Sequence, residues 1–263
     1  MIARDAGAEF AARFAVPWSL RRTADLLLRR EVAWPEARIV SMTVPVDAAV
    51  ARAWLPPGLV PDAPARAVVF VADYPRTSFG VAYREAGVLL CARHHRRPVL
   101  HCAWMVVDDD TAMILGRELL GFPKKLARID VDVDADAGTA RARVERAGVE
   151  ILALDASAGM SAAPGSADAP PFASPIVNLW GPVLLSMVVP QRVLAGRAAL
   201  GELRTRDTPS DPLATLVPPT TAAARVQIVD LGVPPIGWSL PQIRPVGLVA
   251  PWWLLSRYPS RTW

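Results

Sequence analysis

Two lysines stand side by side, Lys124 and Lys125, and they are the only lysines among the chain's 29 lysines and arginines. A coding bias toward arginine accounts for the depletion but not for what survives it. Arginine stays protonated in a protein and is a poor nucleophile. A lysine amine can shed its proton, and only the neutral amine attacks a carbonyl. The retained pair therefore points to amine chemistry, with two surface charges as the plain alternative. An ordinary lysine is almost wholly protonated near pH 7, and neutralising it there takes about 5 kcal/mol of destabilisation of the ammonium. An apolar pocket and a second ammonium nearby both act in that direction. Leu, Val, Phe and Trp are plentiful around the pair, and Lys125 adjoins Lys124.

The pair sits in Gly116-Arg-Glu-Leu-Leu-Gly-Phe-Pro-Lys-Lys-Leu-Ala127. Pro123 fixes its own backbone angle and pushes Phe122 toward an extended conformation. Gly121 permits a close approach or an unusual angle just before it. The lysines thus open a new element after a stiff corner. As a strand they point to opposite sides, one into a cavity and the other acting through its charge.

Gly116-Arg117-Glu118 followed by Phe-Pro-Lys-Lys-Leu resembles the signature of the acetoacetate decarboxylase family, and weaker similarity runs from about Arg38 to the C-terminus. The resemblance implies that Lys124 forms a Schiff base and that Lys125 is the neighbour perturbing it. It also implies a closed β-barrel with flanking sheet and a few short helices, a homo-oligomeric assembly and no external cofactor.

Further site residues follow from the same resemblance. Arg38-Ile-Val-Ser-Met-Thr-Val44 alternates as a strand, and Asp47 caps a short helix over 48–54 that Pro56-Pro57-Gly58 ends. In the family an arginine at the head of this strand lies in the active site. Arg38 is the nearest match and the candidate partner for a substrate carboxylate; a surface arginine is the alternative. The buried strand Ala67–Ala72 departs from the family pattern, because a glutamate facing the Schiff base is replaced at Val69 or Phe70. Asp73, the nearby acid, is out of phase. Glu85, two residues after Tyr83, is the remaining carboxylate and can shuttle protons; otherwise it pairs with Arg84 or another arginine.

Cys91, His94, His95, His101 and Cys102 fall within a short stretch, which raises a zinc site. Two strands, 88–91 and 99–107, joined by a polar connection at 94–98 fit the segment better, and no metal is expected. Asp108-Asp109-Asp110 reads as a solvated turn and Arg117–Leu120 as a short helix, with Arg117 and Glu118 bracing the lysine loop. Residues 127–134 alternate strictly and pair with 140–145, placing Asp134 opposite Arg141 and Asp132 opposite Arg143. Residues 155–174 form a flexible loop. Strands are expected at 193–206 and 224–231, and a helix at 17–32. The aromatic end, 246–258, is expected to pack over the barrel or between subunits.

Many short strands with Gly and Pro turns predict a mainly β (α+β) fold, one domain over 1–263 with its core at about 36–255. The net charge is +4 with scattered arginines, which excludes a nucleic-acid stripe. The apolar run Ile176–Val189 is too short to span a membrane, and the N-terminus lacks an apolar signal, so a cytoplasmic protein is expected. Two cysteines make no disulfide framework. The leading expectation is lysine-imine chemistry on a small oxo acid, most simply decarboxylation of an acetoacetate-like β-keto acid. Its rivals are aldol and dehydration chemistry on an α-keto acid such as pyruvate, a non-catalytic barrel for an oily ligand near Val69 and Phe70, and a merely basic surface spot.

Overall fold

Alternation of apolar and polar residues governs most of this chain, and strands follow from it. A computed structural model describes residues 32–159, 168–233 and 243–249. The elements run β1 (Val32–Pro45), α1 (Ala48–Trp54), β2 (Leu59–Pro61), β3 (Arg66–Tyr74), β4 (Tyr83–His94), β5 (Arg97–Val107), α2 (Asp110–Leu120), β6 (Lys124–Leu126), β7 (Arg128–Asp134), β8 (Thr139–Arg146) and β9 (Val149–Ser157). They continue with β10 (Ile176–Trp180), β11 (Val183–Met187), β12 (Gln191–Thr205), β13 (Asp207–Thr208), β14 (Asp211–Pro212), α3 (Leu213–Leu216), β15 (Thr220–Val233) and β16 (Ile243–Leu248). The helix expected at 17–32 lies outside the described residues except for Val32, which opens β1; so does the aromatic end beyond residue 249.

One 14-stranded sheet holds the fold, in the order β16-β11-β10-β5-β4-β3-β1-β15-β12-β9-β8-β7, with β2 added to β4 and β6 to β5. It is mixed: β10 and β6 lie parallel to β5, and the other pairs are antiparallel. The expected closed barrel is not what forms. Among the described residues the sheet ends at β16 and at β7, which do not pair with each other. Exposed Asp130, Asp132 and Asp134 line β7, and charge along an edge strand opposes further pairing. Instead the β7 end curls back across β3 and β4, where Arg84 Nη1 donates to the Ile129 carbonyl at 3.4 Å.

The curl makes two apolar layers. Val69 and Val71 of β3 face one core with Val40, Met42, Leu154 and Leu203. Val68, Phe70, Ala72 and Tyr74 face the other, which α2 and Phe172 cover. Buried on both sides, β3 reads as a continuous apolar run. In β1 the register slips between Trp34 and Ala37, with Glu36 at φ 54°, a bulge beside Trp34.

Four local expectations need correction. The hairpin of β7 and β8 pairs Asp134 with Thr139, Asp132 with Arg141 and Asp130 with Arg143, two residues from the expected register. Asp134 accepts the N–H groups of Asp136 and Ala137, so it shapes the turn and closes the ladder there. The acidic run at 108–110 starts a helix, since the Asp109 side chain caps α2 by accepting the Ala112 N–H at 2.8 Å. The loop expected at 155–174 begins later, because Asp155 and Ala156 continue β9, and Phe172 is buried. The connection at 94–98 tightens to a turn at His95 and Arg96, both at positive φ.

Candidate active site

Everything that places Lys124 is local. Gly121 ends α2 in the left-handed conformation at φ 67°, and a Cβ there would sit 2.2 Å from the Leu179 carbonyl oxygen. The Lys124 N–H then donates to the Phe122 carbonyl at 2.8 Å, a three-residue turn centred on Pro123. β6 starts at once, parallel to β5, with Lys124 opposite Met105. Strand alternation sends Lys124 toward α2 and Lys125 the other way.

The Lys124 side chain runs past Gly116 of α2, where an added Cβ would lie 2.5 Å from its Cε. Its Nζ reaches Glu85 Oε2 at 2.6 Å, with both side chains less than a tenth exposed. The contact is an ion pair by distance, but its angle is not that of a hydrogen bond. Tyr74 donates its O–H to Glu85 Oε1 over a long 3.5 Å. The Nζ also lies 5.3 Å from the centre of the Tyr83 ring and 5.8 Å from that of Phe122, within cation–π range. Trp34 Nε1 donates to the Tyr83 oxygen at 2.9 Å. Burial, and then the charge of Glu85, push both tyrosines well above the ordinary phenol range. They are therefore neutral hydroxyls in the site.

This pair opens on a cavity of about 110 Å³. Ala112, Leu115, Gly116, Leu119 and Leu120 of α2 form one wall at helical spacing. Trp34, Tyr74, Phe79 and Tyr83 form an aromatic end, and Phe70, Leu89, Met105 and Phe172 lie on the other side. Among the described residues that line it, Lys124 and Glu85 alone carry charge.

The remaining candidates separate. Lys125 Nζ donates to the Ser210 carbonyl at 2.8 Å and to Asp211 Oδ1 at 3.0 Å, on the opposite side of β6. Asp211, 1% exposed, also accepts from Trp104 Nε1 at 2.9 Å and from Arg146 Nε at 2.7 Å. Burial raises its carboxyl, but these three donors outweigh burial and hold it below the usual carboxylate range. The second ammonium is thus balanced by a carboxylate away from the first.

Arg38 does not join the site. It shares its face of β1 with Val40, not with Ala37 and Ile39, and lies half-exposed 3.8 Å from Asp73. One residue of strand phase separates it from the cavity. Asp73 points the same outward way and meets Arg84 as well. Of the two positions where the family glutamate would fall, Phe70 faces the cavity and Val69 the other core. The Phe70 ring lies over Gly87, where a Cβ would come within 2.6 Å, and meets Phe172 edge-on at 5.0 Å.

Arg117 and Glu118 act here through their main chains. The Arg117 carbonyl accepts the Gly121 N–H, and the Glu118 carbonyl accepts Trp180 Nε1 from β10. Asn178 adds a second tie, accepting from the Cys102 N–H and donating to the Leu120 carbonyl. The cysteines and histidines spread along β4 and β5. His101 is buried with Nδ1 2.8 Å from the Val177 carbonyl, and His94 and His95 sit together at the turn. Among the described residues no three His, Cys, Asp or Glu side chains converge to hold a metal.

Gly116, Phe172 and Asp211 were not singled out for these roles from the sequence. Gly116 stood within the lysine motif, and its helical spacing to Ala112 and Leu119 was the available signal.

The fold has solved counterparts. Acetoacetate decarboxylase from Legionella pneumophila subsp. pneumophila str. Philadelphia 1 superposes with a TM-score of 0.70 at 18% identity, over 82% of this chain and 87% of that one. An acetoacetate decarboxylase-like enzyme from Sphingomonas wittichii RW1 matches with a TM-score of 0.67 at 17% identity, over 82% and 92%. The enduracididine biosynthesis enzyme MppR, complexed with pyruvate, matches with a TM-score of 0.64 at 19% identity, over 82% and 90%. These likenesses establish a shared, mainly β fold. No curated protein matches the chain significantly. The sequence profile of acetoacetate decarboxylase (ADC) matches residues 22–233, and the chain belongs to that family.

Proposed function

We propose that Lys124 is the nucleophile of a lysine-imine enzyme acting on an oxo acid, and that the reaction is decarboxylation of an acetoacetate-like β-keto acid. One observation carries this reading: a buried amine in contact with a buried carboxylate, in a cavity whose other described lining residues are uncharged. At that distance the carboxylate is placed to accept the amine's proton, a base beside its nucleophile.

The ammonium of Lys124 passes a proton to Glu85, and the free amine attacks the ketone carbon. Glu85 returns the proton to the departing hydroxyl, and water leaves as the protonated imine forms. The bond from the α-carbon to the carboxylate then breaks, and its electron pair flows toward the imine nitrogen. Carbon dioxide leaves and an enamine remains. A proton adds at the α-carbon, and water hydrolyses the imine to release the ketone and restore the lysine. The sum consumes one proton and needs no other reagent. An α-keto acid would keep its carboxylate throughout, and among the described residues no arginine or second lysine lines the cavity to hold it.

Borohydride trapping tests the proposal. Protein incubated with acetoacetate is reduced and the adduct mapped by mass spectrometry. A stable adduct on Lys124, lost in Lys124→Arg, with carbon dioxide released in the unreduced reaction, is the expected result. An adduct with pyruvate and no carbon dioxide from any β-keto acid would shift the assignment to aldol or dehydration chemistry. An adduct on another residue would end the assignment to Lys124.

A further inference from the structure

The cavity around Lys124 is far more apolar than a small, fully charged oxo acid requires. Along β4 the inward positions run Tyr83, Glu85, Gly87 and Leu89, and Phe70 fills the space above Gly87. The lysine is thus flanked by Trp34, Phe79 and Tyr83 toward one end and by Phe70, Leu89 and Phe172 toward the other. Among the described residues neither side offers a cation beyond Lys124 itself. The cavity of about 110 Å³ is several times the roughly 10–15 Å³ at which a cavity first admits one water. Its apolar walls on both sides of the lysine suit an alkyl group on the ketone.

Resting on the lysine-imine reading above, we infer that the substrate is a β-keto acid whose only charged group is the carboxylate that leaves, and whose ketone bears an apolar alkyl chain or ring larger than methyl. Charge disposal favours such a substrate. The single carboxylate faces the cationic imine of Lys124 and departs as neutral carbon dioxide. The product is an uncharged ketone that suits the apolar walls. A second carboxylate would remain after the first loss of carbon dioxide, buried with no cation of its own among the described lining residues, which is costly. Each additional methylene of an apolar tail gains affinity, about fourfold when fully buried. The chemistry is as written above: the carbon–carboxylate bond breaks, its electron pair enters the enamine, and a proton takes the place of carbon dioxide.

The test compares three substrates on the full chain: acetoacetate, 3-oxohexanoate and 3-oxoglutarate. Carbon dioxide release gives kcat/KM, and borohydride trapping reports the imine. The expected order is 3-oxohexanoate over acetoacetate by about tenfold or more, two buried methylenes at the gain above, with 3-oxoglutarate below acetoacetate by at least a similar factor. Phe172→Ala, which opens one wall, should lower the ratio of kcat/KM for 3-oxohexanoate to that for acetoacetate about fivefold, or about 1 kcal/mol, the low end of what a pocket contact discriminates. A general loss of folding lowers both rates and leaves the ratio, which would count against the inference. Should Phe172→Ala not fold, the wild-type series decides alone. Acetoacetate equal to or better than 3-oxohexanoate, or 3-oxoglutarate equal to either, with the adduct still on Lys124, would overturn the inference and leave the imine chemistry standing. No adduct on Lys124 with any of the three would overturn both.

Discussion

Lys124 reaches Glu85 only because residue 116 has no side chain. The lysine's Cδ, Cε and Nζ all pass within 3.0 Å of where a Cβ at Gly116 would stand. Gly116→Ala therefore forces the lysine off its path and away from the carboxylate. On helix propensity alone the change favours α2 by about 1 kcal/mol, so the fold should survive with a shift in Tm of a few degrees. Activity should not survive as well: a displacement of about 1 Å at a reacting group costs about a hundredfold. The loss should fall on kcat more than on KM, since the apolar walls that hold the substrate stay in place. A Gly116→Ala enzyme with near-normal kcat would show that this path of the lysine is unimportant. At this scale much of the site was legible. Lys124 stood out because lysine is otherwise missing from the chain, and Glu85 because it follows a tyrosine in a matching segment. Arg38 failed by one step of strand phase, which a bulge between Trp34 and Ala37 makes hard to count from sequence. Phe172 and Asp211 could not be found, since nothing within either local stretch records a partner from β3 or β6.

The elements that hold the lysine strand are tied on their far side to one carboxylate. Asp211 collects Lys125 from β6, Trp104 from β5 and Arg146 from β8. Removing the carboxylate leaves two cations without their shared partner, a loss of about 3–5 kcal/mol for a buried group. The pH dependence has a definite sign. A carboxyl held below its ordinary range in the folded state stabilises the fold fully above that ordinary range, and the contribution disappears as pH falls through the depressed value. Asp211→Asn should therefore be much less stable than the wild type at neutral pH, and the gap should close on acidification. Urea unfolding of both proteins between pH 7 and pH 3 measures it; a gap that stays constant with pH would refute the role given to the charge. Elements with clean alternation, such as β7 and β8, were readable, while of α2 only the final turn, 117–120, was read as helix. Three acids before an apolar run fit a turn as well as a helix start, and only the cap made by Asp109 decides between them.

At the scale of the molecule, pairing partners decide the shape, and they are the least local information in a chain. Alternation identifies β1 as a strand but does not say that it lies between β3 and β15. Nor does it say whether a large sheet closes. Here β7 stays an edge among the described residues, and its exposed face carries Asp130, Asp132 and Asp134 against apolar Ile129, Val131 and Val133 within. The aspartates contribute little to the core, so their placement is best explained by what they prevent. Replacing Asp130 and Asp132 together with Val would leave the inner packing of β7 intact and raise its strand propensity. It would also present a less charged edge to other copies of the chain, the kind of surface along which sheets join. The expected result is a circular dichroism spectrum unchanged from the wild type, with light scattering that grows with protein concentration beyond that of the wild type. Scattering identical to the wild type across the same concentrations would show that the charges do not guard this edge, and that the curl of β7 onto β3 and β4 protects it instead.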